Sequence, residues 1–162
     1  MKTGKCKLCG NDAKLVKCHI VPEALFKYVN DSQIPAKLIA NKPEFYPQKS
    51  PIGVYDDELV CGECENKFFG DADNYAIRLC CDQLSQLTQN NTKYHNGQKI
   101  FEVECNYKSL KMFFISLLWR ASASTHVFYS RVNIGSLHSE QLKKMIVENN
   151  VSTLNPRVKL GM

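Results

Sequence analysis

The first half of the chain alternates apolar and polar positions in a way that predicts a strand followed by a short helix. The segment AKLVKCHIVP, at positions 13–22, reads as a strand with His19 near its end. Pro22 suits the first turn of a helix, and apolar residues then recur at helical spacing, at Leu25, Tyr28 and Val29. A helix is therefore expected over PEALFKYVND.

The middle of the chain reads as a long loop, a returning strand and a second helix. Four prolines between Ser32 and Gly53 predict an extended loop, and Val54 to Val60 can return as a strand. Beyond Cys64, apolar residues fall on one face at spacings of three and four, which predicts a helix that Gly70 weakens; they are Phe68, Ala72, Tyr75, Ala76 and Leu79.

The last third of the chain predicts one central helix with smaller elements around it. The segment from Asn90 to Gly97 reads as a turn, and KIFEVEC beyond it alternates like a strand. The segment from Leu110 to Ala121 repeats at helical spacing and is apolar almost all round, which predicts a buried helix. HVFYSRVNI suggests a short strand, and the last amphipathic helix, which Ser136 or Ser139 would cap, carries Leu142, Met145 and Ile146.

These elements predict an α+β fold. The turn after Asn90 marks the expected boundary between a module at 1–90 and a mainly helical extension at 91–162 that packs on it, and one continuous domain is the alternative. With 162 residues and 44% hydrophobic composition, the chain can bury a core of either kind.

The composition favours a cytoplasmic protein without a membrane segment. No apolar stretch follows the lysines of MKTGKCKLCG, so the sequence lacks the pattern of a secretory signal. The longest apolar run, Met112 to Trp119, is interrupted by Ser116 and is far shorter than the roughly 18 residues that a membrane span requires. The net charge of +5 permits contact with nucleic acid, but a solvated basic face explains it equally well.

The eight cysteines include two matched CxxC pairs, Cys6 with Cys9 and Cys61 with Cys64. Each CxxC turn places two sulfurs on one side of a tight knuckle, and two such turns complete a tetrahedral site for zinc. In a reducing compartment this metal-ligand interpretation is favoured over buried thiols or disulfides. Because four ligands meet only in the folded chain, the zinc would be structural.

The succession CKLCG, CHIVP and CGECENKFFG resembles the HNH (ββα-metal, His-Me finger) endonuclease family, in particular its members with a four-cysteine zinc. The resemblance covers roughly the first half, and SLLWRAS farther on looks similar to bacterial HNH-like proteins. It implies that His19 is the general base that activates water. It also implies that Glu65 binds a catalytic Mg²⁺ or Mn²⁺.

Two positions depart from the family pattern. Cys18 stands before the base, where an acidic or small polar residue is usual, and a thiol is a poor Mg²⁺ ligand. The asparagine that orients the base has no clear match, so Asp56, Asp57 and Asn66 are candidates for that role. His19 as a structural histidine at a strand end, and Glu65 as a carboxylate at a helix N-terminus, are the simpler alternatives.

Two kinds of function follow from this sequence. The first is a metal-dependent endonuclease that hydrolyses phosphodiester bonds of nucleic acid, with DNA as the expected substrate. Its basic phosphate contacts would be chosen from Lys37, Lys42, Lys49, Arg120 and Arg131. The second is a catalytically inactive zinc-binding module that binds nucleic acid or a partner protein. By analogy it would be a subunit of a bacterial defence assembly, or a homo-oligomer formed through its apolar C-terminal helices.

Overall fold

The computed structural model describes residues 2–29, 36–39, 46–83, 92–95, 98–101 and 104–151. The chain begins with a small antiparallel hairpin of β1 (Thr3–Lys5) and β2 (Asp12–Lys14). The first CxxC turn connects the two strands, and Gly10 closes it with a φ of 79°, a left-handed conformation that glycine adopts without strain. The hairpin therefore presents the first pair of cysteines from its tip.

The predicted strand 13–22 is divided into separate pieces. After β2, Leu15 forms an isolated antiparallel bridge with Cys61, and β3 (Cys18–His19) then pairs with β6 (Tyr55–Asp56). The backbone N–H of Val16 also donates to Val60, so the contact with the returning chain continues between the two pairings. The expected strand and return strand thus lie side by side, with regular pairing limited to short stretches.

The connection between β3 and β6 contains a helix and a second hairpin. Helix α1 (Glu23–Val29) follows Pro22, as the sequence predicts. The long proline-rich loop carries β4 (Lys37–Leu38) and β5 (Gln48–Lys49), which pair with each other. This short hairpin adds to the extended loop that the prolines predict, and the described residues at 36–39 and 46–53 contain no long regular element.

A helical segment leaves the second CxxC turn, as predicted. It comprises α2 (Gly62–Cys64), a π-helical turn (Glu65–Phe69), α3 (Gly70–Ile77) and a second π-helical turn (Arg78–Gln83). Gly70 lies at the junction between the first π-helical turn and α3, so the weak helix former coincides with a change in helical winding. Phe69, Ala72 and Ala76 are buried along this segment.

The region predicted as a turn between Asn90 and Gly97 instead contains β7 (Thr92–His95), which pairs with β8 (Gln98–Phe101). The turn prediction is wrong for β7, while the strand beyond it is confirmed at β8. The central helix follows as α4 (Tyr107–Ala123), capped by the side chain of Asn106. Its burial is one-sided, because Phe114 is 56% exposed and Leu118 is 41% exposed.

The segment predicted as a strand, HVFYSRVNI, forms a single 3₁₀ turn at Val127–Tyr129. The ring of His126 accepts a hydrogen bond from the backbone N–H of Phe128, which favours the turn over an extended chain. Helix α5 (Gly135–Glu148) follows, and Asn149, with a left-handed φ of 48°, caps its C-terminus. Ser136 and Ser139 lie inside α5, so the predicted serine cap is wrong.

One hydrophobic core joins the two ends of the chain. It runs from Cys6 and Leu8 of the knuckle, through Phe69 and Trp119, to Met145 and Ile146 of α5. Helix α4 lies in its middle, packed against α3 on one side and α5 on the other. Helices and small antiparallel sheets together make the fold α+β, and none of the described helices has the length and apolarity to cross a bilayer.

Candidate metal centre and active site

The four cysteines of the two CxxC turns come together as the spacing predicts. Among the described residues, the ligand atoms of Cys6, Cys9, Cys61 and Cys64 all lie within 4.8 Å of one another. A tetrahedral zinc with bonds of about 2.3 Å separates its sulfurs by about 3.8 Å, so only a small contraction would close the cluster around an ion. The four thiols therefore form a site compatible with a structural metal such as zinc.

Backbone N–H groups stabilise the thiolate of one cysteine in this cluster, Cys6, whereas burial raises the pKa of Cys64. Burial disfavours the charged form of Cys6, but N–H groups of Cys9, Cys61 and Leu8 donate to its sulfur and lower the pKa of Cys6 to about 7. The bond from the Cys61 N–H to Cys6 Sγ measures 3.4 Å. Hydrogen bonds from the main chain stabilise thiolates, which are the form that binds metal.

The cluster fixes the neighbouring strands and helix relative to one another. Lys7 donates its backbone N–H to Leu59 at 2.9 Å, and the bridge between Leu15 and Cys61 lies just beyond. β3 and β6 follow on one side, and the helical segment starts at Gly62 on the other. A pair of antiparallel strands followed by a helix is thereby held beside the four thiols.

His19 lies at the end of β3 with its side chain 20% exposed. Its Nε2 is buried without a hydrogen-bond partner and lies 3.8 Å from Glu23 Oε2, which is too long for a hydrogen bond. Burial lowers the pKa of His19, Glu23 opposes this, and Arg120 and Lys17 reinforce it. The imidazole is therefore predominantly neutral at neutral pH, with an unused nitrogen.

Glu65 begins the first π-helical turn, directly after Cys64 of the four-cysteine cluster. Its Oε2 is also buried without a partner. Burial raises the pKa of Glu65, while a hydrogen bond with the Cys18 thiol and the charge of Arg120 lower it. Cys18 is fully buried, and burial raises the pKa of its thiol, so it is a neutral donor beside this carboxylate.

The candidates for orienting the base lie in different surroundings. Asp56 is buried, and its carboxylate accepts from the Ser124 hydroxyl at 2.7 Å and from the Thr125 N–H at 2.7 Å, which ties β6 to the end of α4. Asp57 pairs with Lys2 at 3.4 Å, and Asn66 is exposed on the first π-helical turn. An orienting role for Asp57 or Asn66 stays a prediction.

Three neighbours of His19 do not follow from the sequence patterns. Tyr55 lies opposite His19 across the β3–β6 pair, with ring centroids 5.7 Å apart in a T-shaped contact. Glu23 is four residues away along the chain, a spacing that could have indicated the contact. Arg120 reaches the His19 carbonyl oxygen at 2.9 Å from a remote helix, and only its position as a lone arginine in an apolar helix hints at a special role.

The predicted phosphate contacts separate into exposed and buried side chains. Lys37, Lys49 and Arg131 are exposed, and Lys42 lies outside the described residues. Arg120 has 0% exposure and bonds to protein groups, so its expected role as a phosphate contact is wrong. Tyr55 and Lys49 line a cleft of about 400 Å³ that also includes His126.

Comparison with models of protein families, with curated proteins and with solved structures gave no match. The α+β architecture and the four-cysteine cluster are therefore established from this chain's own sequence and structure.

Proposed function

We propose that this chain is a metal-dependent endonuclease of the HNH type, held together by zinc in its four-cysteine cluster. The observation that carries the proposal is the pair of buried polar atoms without partners, His19 Nε2 and Glu65 Oε2. Within the described residues these are the two such side-chain atoms, and they belong to the predicted base and the predicted metal ligand. Groups of this kind are costly unless a ligand or water uses them.

The backbone around the two residues supports the same function. His19 ends the first strand of an antiparallel pair, and Glu65 begins the first turn of π-helix after the second CxxC turn. This is the strand, strand and helix order of the family that the sequence resembles. The identity of the ion as zinc is supported by a donor set of four thiols, which is typical of closed structural zinc sites.

His19 has the chemistry of a general base. Its neutral imidazole would accept a proton from a water molecule, so that the resulting hydroxide attacks phosphorus, and the lowered pKa keeps the base unprotonated near neutral pH. The Glu65 carboxylate would supply a hard oxygen ligand for Mg²⁺ or Mn²⁺. Such an ion stabilises charge on the phosphate and on the leaving oxygen.

Cleavage of plasmid DNA, single-stranded DNA and RNA by the purified chain tests this function. We expect nicking of at least one substrate with Mg²⁺ or Mn²⁺, and a loss of at least about 100-fold in His19→Ala, because general-base catalysis contributes about that much. His138→Ala is the matched control, since His138 is exposed on α5. Absence of cleavage with every divalent metal would contradict the proposal.

A binding module without chemistry is the second candidate, and Cys18 favours it. The neutral thiol occupies the neighbourhood of Glu65, where the family has a hard metal ligand. In that case the wild-type chain and His19→Ala would bind nucleic acid equally well and cut none. Affinity that falls steeply with salt would identify phosphate contacts, which can be assigned with the exposed Lys49→Ala variant.

A further inference from the structure

Arg120 is a charged side chain at the centre of the core. It lies in α4 with 0% exposure, and its guanidinium carbon is 4.8 Å from the centroid of the Phe69 ring. A buried charge is unfavourable unless its hydrogen-bonding capacity is satisfied. Its contacts therefore indicate what the residue holds in place.

The guanidinium connects three separate elements. Its two terminal nitrogens bind the Asp73 carboxylate of α3 in a bidentate pair, at 2.8 and 2.7 Å. One of these nitrogens also donates to the His19 carbonyl oxygen of β3 at 2.9 Å. Inside α4 the group contacts Ser116, with 3.3 Å to the hydroxyl and 3.4 Å from Nε to the carbonyl. A planar fork with five N–H donors can make this set, whereas a lysine ammonium cannot.

The bond to His19 acts on a short strand, on a peptide that is held at its other edge by the Ile20 N–H, which donates to the Val54 carbonyl oxygen at 3.2 Å. β3 has only two residues, and His19 is its last, opposite Tyr55. Rotation of the peptide that carries the His19 carbonyl would redirect the Cα–Cβ bond and hence the imidazole. The hydrogen bonds that link Asp73 to Arg120, and Arg120 to the His19 carbonyl oxygen, oppose that rotation from the side of the core.

We propose that Arg120 is a positioning residue that, clamped by Asp73, fixes the main chain at His19 and thereby aims the imidazole. The orientation of the imidazole is inferred from the hydrogen bonds alone. Its importance for catalysis rests on the proposed function. This positioning role makes the His19 site dependent on α4, which lies outside the predicted module at 1–90.

The first test is the Arg120→Lys variant of the full chain, which keeps the charge but loses the fork. NMR follows the imidazole carbon and nitrogen shifts of His19 and its nuclear Overhauser contacts with the Tyr55 ring. We expect these signals to shift and the contacts to weaken at least twofold in Arg120→Lys. The control is Met145→Ala, a buried change in α5 outside the hydrogen-bonded chain, which should leave them unchanged.

Steady-state cleavage kinetics provide the second readout. Because displacement of a reacting group by about 1 Å can cost about 100-fold in rate, we expect kcat to fall at least 10-fold in Arg120→Lys with KM changed less than twofold. Met145→Ala should retain wild-type kcat when folded. If the wild-type chain does not cut, the proposed function fails, while the His19 signals still decide the positioning role.

Two further measurements keep the inference testable if Arg120→Lys does not fold. Asp73→Asn keeps the shape of the clamp and weakens its charge, and should shift the His19 signals in the same direction. In the wild-type chain, the Arg120 guanidinium protons should exchange slowly and show a contact with the His19 Hα. Unchanged His19 signals in a folded variant, or rapidly exchanging guanidinium protons in the wild type, would overturn the positioning role.

Discussion

At the scale of single residues, His19 and Glu65 combine burial with an unused polar atom. Their neighbours fall into two groups: Tyr55 and Glu23 lie beside the imidazole, and Cys18 lies beside the carboxylate. The sequence singled out these two residues because CHIVP and CGECE follow the order of the family it resembles, and their catalytic roles stay predictions. It missed the contact between Arg120 and the His19 carbonyl oxygen, because a contact across 101 positions leaves no local pattern.

Gly53 is a residue on which the loop leading to β6 depends. Its φ is 78°, and a Cβ added there would overlap the Phe26 ring. We expect Gly53→Ala to reduce the free energy of unfolding by about 1–3 kcal/mol, through backbone strain and this overlap. Urea denaturation measures the change.

Gly70→Ala is the matched control for that prediction. Gly70 lies in the helical segment, and an added Cβ there meets nothing within 4 Å. The substitution should raise stability by about 0.5–1 kcal/mol, because alanine is the better helix former. Equal effects of the two substitutions would contradict the strain argument at Gly53.

At the scale of elements, helices were more predictable than strands. Helices α1, α4 and α5 and the segment after Cys64 have apolar residues at helical spacing, and all of these segments are helical in the structure. Strand pairing depends on partners remote in sequence, so the predicted strand 13–22 was broken and HVFYSRVNI became a turn capped by His126. Apolar spacing also could not show that Phe114 and Leu118 face outward.

The two CxxC turns meet in one four-cysteine cluster that is compatible with a structural metal such as zinc. We expect one zinc per chain by metal analysis, and loss of both zinc and tertiary near-ultraviolet dichroism in Cys61→Ser, because structural zinc contributes on the order of 10 kcal/mol to folding. Cys105→Ser is the control, since Cys105 is exposed and outside the cluster. Full zinc content in Cys61→Ser would contradict the four-thiolate site.

At the scale of the whole molecule, the core connects the knuckle region to the C-terminal helices. Trp119 is 1% exposed within it, and the Arg120 side chain binds both α3 and β3. The sequence left open whether 1–90 and 91–162 are separate, because periodicity shows which faces are apolar but not which faces meet. The shared core favours one folding unit.

Cooperative unfolding tests whether the molecule is one folding unit. Trp119 is the single tryptophan, so its fluorescence reports on α4, while released zinc reports on the knuckles. If the chain is one unit, both signals should have the same midpoint in guanidinium chloride. Zinc release at a lower denaturant concentration, with Trp119 still buried, would show two independent parts.

The metal-dependent cleavage proposed for His19 and Glu65 is tested most directly by the Mn²⁺ dependence of single-turnover DNA cleavage. Wild type should cut with saturable Mn²⁺ dependence, and Glu65→Gln, which keeps the side chain's shape but not its charge, should need at least about 10-fold more Mn²⁺. His19→Ala should instead lower the rate at saturating metal. A wild-type chain without metal-dependent cleavage, or a Glu65→Gln variant with the wild-type Mn²⁺ curve, would contradict the proposal.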